Sequence, residues 1–395
     1  MALVALGAAT PVLAQPDIPE DARVLFKSLA VSPAIRLTSV GWDDNVLRVN
    51  KGDRPTGDFT ATVTPAVQAW LRLLGARVRG RSEVGFVYFK ELSQYRSIDA
   101  DNSARVELPL GRLTPSVGGA RANTRHRRNF EIDFPVRRVE SSWDAGIDVR
   151  LTGKTSIGLM TERSRVDYKG DTVYLDTDLA RYLGATARAD GVRVRYAATR
   201  LTTVGADVQQ YRNTFANAPE RNSDGVRVMS VIEIQPLAQV SGRAGVGVIR
   251  RTFVDGSFPP FQGAVARVDL SYTLAERTRV AVRVQRDLTY SYRADQRDYL
   301  ETGIELSVTR RLADAWDVQA TLARFILAYS LGDAPRARTG ESPAERVVSY
   351  GVDLGYRVGS SRVGFQVARQ ARTSDFSAER GYGQTLIASS LTYGF

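Results

Sequence analysis

In the stretch TRVAVRVQRD, Val280, Val282 and Val284 alternate with Ala281, Arg283 and Gln285. The same two-residue period recurs along most of the chain. GVRVRYAA sets Val192, Val194 and Tyr196 against Arg193, Arg195 and Ala197, and AVARVDLSYTL sets Ala266, Val268, Leu270 and Tyr272 against Arg267, Asp269 and Ser271. YLETGIELSV sets Leu300, Ile304, Leu306 and Val308 against Glu301, Gly303, Glu305 and Ser307. VSYGVDLGYRV sets Tyr350, Val352, Leu354 and Tyr356 against Gly351, Asp353, Gly355 and Arg357. A helix, with its 3.6-residue period, would scatter each set around its axis, so these segments are strands. By alternation they run roughly 10 to 16 residues, about twice the strands of a soluble sandwich or propeller. That length suits a tilted strand crossing a bilayer, which needs about 9 to 11 residues, with short extensions.

The connections alternate as well. Tight turns fall at 73–76, 110–113, 152–154, 199–201, 235–239, 274–277, 311–315 and 359–361. Between them lie longer polar connections at 44–57, 92–101, 125–134, 169–184, 214–222, 255–260, 292–295, 332–345 and 374–381. Short periplasmic turns alternating with longer outer loops are the rule for outer-membrane barrels. The expected fold is an all-β, transmembrane, antiparallel up-and-down β-barrel of about 18 strands, with 16 as the alternative count. Both chain ends then lie in the periplasm, and the site of action is the outer membrane of a Gram-negative bacterium.

At the start, ALVALGAATPVLAQ is a short apolar run followed by small residues, as in a secretory signal peptide cut between Ala14 and Gln15. Residues 1–14 are assigned to that signal, whose charged leading region is missing, so the true start is expected upstream. Residues 15–32 read as a periplasmic segment with a turn or two of helix around Asp21 to Leu29, and the barrel is assigned to 33–395. In the closing strand, Ile387, Ser389, Leu391, Tyr393 and Phe395 share one face, with the aromatics placed for an interfacial girdle.

Composition narrows the function. Fifty-four Lys and Arg against 43 Asp and Glu give a formal charge of +11, nearly all of it arginine spread along the chain rather than gathered in a basic arm. For an exported protein this points to lipopolysaccharide phosphates, acidic glycans or an anion-preferring lumen, and away from nucleic acid. The absence of cysteine excludes disulfides, thiolate metal sites and cysteine nucleophiles. After the N-terminal run, no apolar stretch nears the roughly 18 to 20 residues of a transmembrane helix.

The polar faces supply the candidate lumen lining: Arg193, Arg195, Arg243, Arg267, Arg283, Glu301, Glu305, Asp353 and Arg357, with Arg79, Arg81, Asp144, Asp148, Arg150 and Asp269 in the same set. Two readings stand for them. The arginines form a charged path for anions or acidic sugars, or they pair with carboxylates on neighbouring strands. Arg286 breaks the pattern, since it shares the apolar face of Val282, Val284 and Leu288, where a charge at the bilayer midplane costs about 2–4 kcal/mol. A bulge or snorkelling would resolve it. Trp143, Trp316, Tyr350, Tyr356 and Tyr393 fit an aromatic girdle.

Catalysis finds little support. The one histidine, His126, lies in a long connection, and Ser103, Ser116 and Asp133 show no spacing that specifies a triad. There is no G-x-S-x-G, P-loop or His-rich cluster, so no enzyme activity, metal or cofactor is expected.

The segments SRVDYKGDTVYLD, RLTTVGADVQQYRNTF, VSGRAGVGVIRRTF, GAVARVDLSYTLAERTRVAVRVQRDLTYSY and SSLTYGF resemble the beta-barrel porin-2 type of proteobacterial outer-membrane protein. The similarity runs from about Pro33 and is strongest from Thr199 onward, in loose hairpin patterns. It implies an association with exopolysaccharide or capsule export, and so an exit conduit for an acidic polymer working with periplasmic export components. A general anion-preferring diffusion porin and a structural or adhesive barrel with a closed lumen are the alternatives. Leu391, Tyr393 and Phe395 also resemble the C-terminal signal read by the barrel-assembly machinery.

Overall fold

The alternating segments close into a ring. A computed structural model describes residues 23–394 except 27, 51, 53, 128, 170–171, 237–238, 257–259, 294–295, 330–342 and 377–379. A short strand, β1 (Arg23–Phe26), precedes β2 (Leu29–Asp43), β3 (Asp58–Leu73), β4 (Ala76–Phe89), β5 (Ser97–Glu107), β6 (Leu113–His126), β7 (Val136–Arg150) and β8 (Thr155–Tyr168). Two-residue strands β9 (Val173–Tyr174) and β10 (Thr177–Asp178) pair within a loop that leads into a short helix, α1 (Leu179–Leu183). Then come β11 (Ala185–Ala197), β12 (Thr202–Thr214), β13 (Ser223–Ile234), β14 (Val240–Phe253), β15 (Phe261–Leu274) and β16 (Thr278–Tyr290). The last are β17 (Asp298–Arg311), β18 (Trp316–Tyr329), β19 (Ala344–Val358), β20 (Ser361–Ser374) and β21 (Tyr382–Gly394).

From β2 onward each long strand pairs antiparallel with the next, β8 pairs with β11, and β21 pairs back onto β2. The result is a closed barrel of 18 strands, the first of the two expected counts. Closure pairs every long strand on both sides, which removes the exposed edge of an open sheet. Among the described residues no helix is long and apolar enough to cross a membrane; the crossing elements are strands.

The eight tight turns lie at one end and the long connections at the other, near the expected places; the connection expected at 92–101 ends at 96, where β5 begins, and most of 332–345 falls outside the described residues. Between β3 and β4 the turn is two residues, Leu74 and Gly75, with φ of 50° and 86°. Positive φ at both positions marks a type I′ hairpin, whose twist matches that of the strands, and glycine takes the second position without strain. Within β2 a bulge between Leu37 and Val40 puts Ser39 at φ 54° and shifts the alternation, so that Leu37 and Trp42 both face outward.

The first strand departs from expectation. The helix expected around Asp21 to Leu29 is instead β1, paired antiparallel to the start of β2, with Arg23 opposite Val31. The barrel wall begins at Leu29, four residues before the assigned boundary at Pro33, because Leu29 to Ser32 are already in register with Leu71 to Gln68 of β3. The short apolar run there lacks a polar alternate that would reveal its period, and the neighbouring strand decides. The signal assigned to 1–14 lies outside the described residues.

Candidate functional site in the barrel interior

Register and contacts together fix which face looks inward. Arg372 of β20 holds Asp133 from the connection between β6 and β7, so the residues sharing its parity on β20 face the interior, and strand pairing carries that assignment round the ring. All nine sequence-derived lining residues have inward parity. Trp143, Trp316, Tyr350, Tyr356, Leu391 and Tyr393 have outward parity and are exposed, while Phe395 lies outside the described residues.

Five of the six sequence-derived arginines are bound to carboxylates of the wall. Arg193 pairs with Asp148, and Arg195 and Arg243 share Asp207 and Glu233. Arg283 bridges Asp269 at 3.3 Å and Glu305 at 3.0 Å. Arg357 donates to Asp317 at 2.9 Å, and Arg362 holds both Asp317 and Asp353. Arg105 pairs with Asp144, and Arg81 with Glu83. Glu301 accepts from Gln285 at 2.8 Å. For Arg267 the structure gives a position, opposite Gln285 and Gly245, without an ion pair to another described residue. Arginine and carboxylate therefore form a matched mosaic on the wall, the second of the two readings.

Several of these pairs lie flat over glycine. A Cβ on Gly158 would meet Arg193 Nε at 2.7 Å, one on Gly205 would meet Arg195 Cδ at 2.7 Å, and one on Gly118 would meet Asp144 Oδ1 at 2.7 Å. Gly355 and Gly364 underlie Arg362 in the same way. Glycine lets a long guanidinium stem follow the sheet surface and keeps the polar layer thin. Around β15 and β16 the inner surface is open to solvent, with Arg283 57% and Asp269 65% exposed.

The loop-side half of the interior is different. The 127–135 connection between β6 and β7 crosses it to the far wall. Asn129 donates through Nδ2 to the Tyr299 hydroxyl on β17 at 3.0 Å, and the Phe130 ring lies 4.1 Å from that of Phe325 on β18. β18 is eight strands round the ring from β6, and β17 eight from β7 the other way, so the two walls are opposite. Asp133 is held by Arg48 at 2.9 Å and by Arg372, and accepts from the Tyr382 hydroxyl at 3.2 Å. Arg372 also pairs with Glu345, which Arg380 reaches at 2.7 Å and the Tyr329 hydroxyl at 3.1 Å. Arg127 donates to the carbonyls of Asp133 and Val46 and pins the near end. Glu131, fully buried, accepts from the Ser291 hydroxyl and from the Tyr292 backbone N–H at 3.2 Å.

Burial pushes the Glu131 carboxyl up to about 7, against the opposing pull of its Ser291 and Tyr292 hydrogen bonds and the charge of Arg380. Burial likewise lowers Arg127 to about 10, helped by the nearby charge of Arg48. The loop is also held by apolar contacts. Ile132, Val136, Tyr168, Leu179, Leu183 and Tyr292 form one cluster, so the 169–184 connection, through α1, turns inward beside it. Phe130 joins a second cluster with Tyr299, Phe325, Leu327, Tyr329 and Val347.

Arg286 marks a fork in the wall. Pairing between β15 and β16 stops at Ala266 opposite Arg286, although β15 continues to Phe261 and β16 to Tyr290. Beyond the fork, Tyr290 meets Phe215 edge to face with ring centres 4.7 Å apart, bonds the Ser223 hydroxyl and lies under the Arg251 guanidinium. Arg251 and Ser223 have inward parity, so the loop-side end of the β16–β17 hairpin leans inside the wall. Arg286 Nε donates at 3.2 Å to the Ala264 carbonyl that the fork leaves free, and Nη1 donates to Thr302 Oγ1 at 2.8 Å. The register of β16 against both neighbours is unshifted, so no bulge is involved.

The histidine and its proposed companions do not meet. His126 Nδ1 sits 3.9 Å from Asp99. Ser116 lies ten residues down the same strand, roughly 33 Å at the rise of a β-strand, and Ser103 pairs six residues below it opposite Ala120. The Asp133 carboxylate is committed to Arg48, Arg372 and Tyr382. The residues that hold the loop escaped the sequence reading. The one available signal was NFEIDF, an apolar and acidic run inside an otherwise basic connection.

A model of the family described as "Putative beta-barrel porin 2" matches residues 28–393. The chain belongs to that family. The porin-2 barrel is therefore an outer-membrane, porin-like channel of a Gram-negative bacterium, and its family points to a channel rather than an enzyme. A search of curated proteins finds no match. Among solved structures, the chain is similar to Pseudomonas aeruginosa OpdK with vanillate, at 8% identity and TM-score 0.47, covering 92% of this chain and 98% of that one. Similar too are P. aeruginosa OccK2 (OpdF) in complex with glucuronate, at 8% identity, TM-score 0.49 and 93% and 98% coverage, and a BenF-like porin from Pseudomonas fluorescens Pf-5. The last is 10% identical with TM-score 0.48, at 94% and 100% coverage. The chain spans 63% of the Neisseria meningitidis FrpB iron transporter, at 9% identity, TM-score 0.44 and 89% coverage of its own length. At these scores the likenesses carry no functional argument.

Proposed function

We propose that this porin-2 barrel is a loop-gated diffusion channel for small hydrophilic solutes with a mild preference for anions. The observation that carries this reading is the 127–135 connection, anchored to the opposite wall by buried ion pairs above a wall of matched charges. Matched arginine–carboxylate pairs offer donors and acceptors to a passing polar solute while binding none of them strongly, which suits diffusion. Arg267 and the shared position of Arg243 tilt the balance toward anions. An acidic exopolysaccharide leaving through the same lumen, with periplasmic export components, would require the whole loop to leave its anchors. Leu391 and Tyr393, outward on the closing strand, fit the proposed assembly signal.

The test is planar-bilayer conductance of the refolded chain, wild type beside Asp133→Asn, with and without an acidic oligosaccharide on one side. Small steps in the wild type that grow in the variant support a gated channel. Large wild-type currents blocked by the sugar favour a polymer conduit. Silence in both proteins favours a closed structural barrel.

A further inference from the structure

The outer face carries arginines where a lipid-facing wall should be apolar. Arg163 on β8, Arg188 on β11 and Arg212 on β12 have outward parity, are exposed, and lie directly opposite one another across three adjacent strands. Trp143 on β7 continues the row opposite Arg163, whose guanidinium sits 5.5 Å from the indole centroid. One step nearer the loops, Arg165 and Arg121 flank Ser141 on either side. Toward the tight-turn end the same faces are apolar, with Ile157 and Leu159 on β8, Val192 and Val194 on β11, and Val204 and Val208 on β12. The band therefore sits at the loop-side boundary of the hydrocarbon, where Trp143 marks the interface.

Like charges directly opposite on neighbouring strands repel, so such a row needs counter-charge. Part of it is internal. Arg165 is bidentate to Asp167 at 2.7 and 2.9 Å, Arg188 pairs with Asp190 at 2.7 Å, and Arg212 is bidentate to Asp224 at 2.6 and 3.1 Å. Among the described residues Arg121 pairs with no carboxylate, and Arg163 shares the charge of Asp190 with Arg188. Arg121 on β6, and Arg163 and Arg188 with one carboxylate between them, thus leave positive charge in excess on both sides of β7 at the level of the headgroups. We propose that this band on β6–β12 binds the phosphate groups of an outer-leaflet glycolipid, with Arg121 and Arg163 as its principal contacts. A planar guanidinium matches a phosphate in bidentate geometry, and an acyl-chained anion at that depth can lay its chains on the apolar faces below. This assignment does not depend on the channel reading.

The test uses the refolded full chain in detergent, with binding of a bis-phosphorylated lipid A compared with the same lipid stripped of phosphate. Wild type should favour the phosphorylated lipid by about tenfold or more, the scale of two charge-assisted contacts. R121Q/R163Q should lose that preference while keeping the heat-modifiable gel mobility of a folded barrel. R121K/R163K should restore part of it, and Arg200→Gln, at the tight-turn end, should leave it unchanged. Equal affinity for the two lipids in the wild type would overturn the proposal, whatever the variants do. So would complete displacement by millimolar inorganic phosphate. A double variant that binds lipid normally but loses self-association would show instead that the band joins copies of this chain.

Discussion

The two halves of the barrel interior use the same chemistry to opposite ends. On the turn side, arginine–carboxylate pairs lie along the wall, and around Arg283 and Asp269 more than half of each side chain meets solvent. On the loop side, Arg372 is 2% exposed and Glu345 fully buried, because the 127–135 connection lies across them. An exposed pair contributes at most about 1 kcal/mol. Removing one partner from a buried pair costs several times more, since the charge left behind has lost its water. The solvent-facing pairs of the first arrangement tolerate change and set selectivity, while Arg193 and Arg195 on the same side are buried against the wall; the second arrangement fixes the position of a loop. Placement of the backbone, rather than residue type, separates them.

The largest expected effect is at the anchor. Asp133→Asn removes the charge that Arg48 and Arg372 share, and should weaken docking of the loop by about 3–5 kcal/mol. Limited proteolysis within 127–135 should then accelerate while the barrel keeps its folded gel mobility. Cleavage at the wild-type rate would mean that the apolar clusters hold the loop without the ion pairs.

Next is selectivity on the turn side. Replacing Arg193, Arg195, Arg267 and Arg283 together by glutamine frees Asp148, Asp269 and Glu305 and leaves Asp207 to Arg243 alone, so the reversal potential in a salt gradient should move toward cation preference. An unmoved reversal potential would take these residues off the conduction path and dissolve the contrast between the halves.

A pH effect on the loop side should be smaller. The Glu131 carboxyl is raised to about 7 in the fold from an ordinary 4.5, so its contribution to docking is complete below about 4.5 and is lost as pH rises through about 7. Open probability should therefore increase between pH 5 and pH 8, and Glu131→Gln should flatten that dependence. A response unaltered in the variant would assign the titration to another group.

The smallest change should follow Gly158→Leu. Its side chain would lift the Arg193–Asp148 pair from the wall and lower conductance by less than about twofold, with selectivity kept. A conductance equal to wild type would show that the flat packing leaves the open path unaffected.

Much of the architecture was legible because a barrel wall obeys a local rule. Val280, Arg283 and their neighbours reveal which face is which without knowledge of any partner strand, and the spacing of turns places the connections. Arg286 shows where local rules stop, since its role depends on a fork between β15 and β16 that leaves the Ala264 carbonyl free. The anchors were less visible still. Asp133 and Arg372 are separated by 239 residues, and the only sign of their meeting is that NFEIDF mixes apolar and acidic residues in a basic connection.

Residue pattern alone was enough for the strand period, the alternation of turns and loops, the inward and outward sets, and hence an outer-membrane barrel of 18 or 16 strands; closure of β21 onto β2 made it 18. Tertiary structure decided that most of the inward arginines are neutralised by their neighbours, because pairing depends on cross-strand register. It also decided that one loop enters the interior. That outcome rests on contacts between walls on opposite sides of the ring, which no period along the chain records.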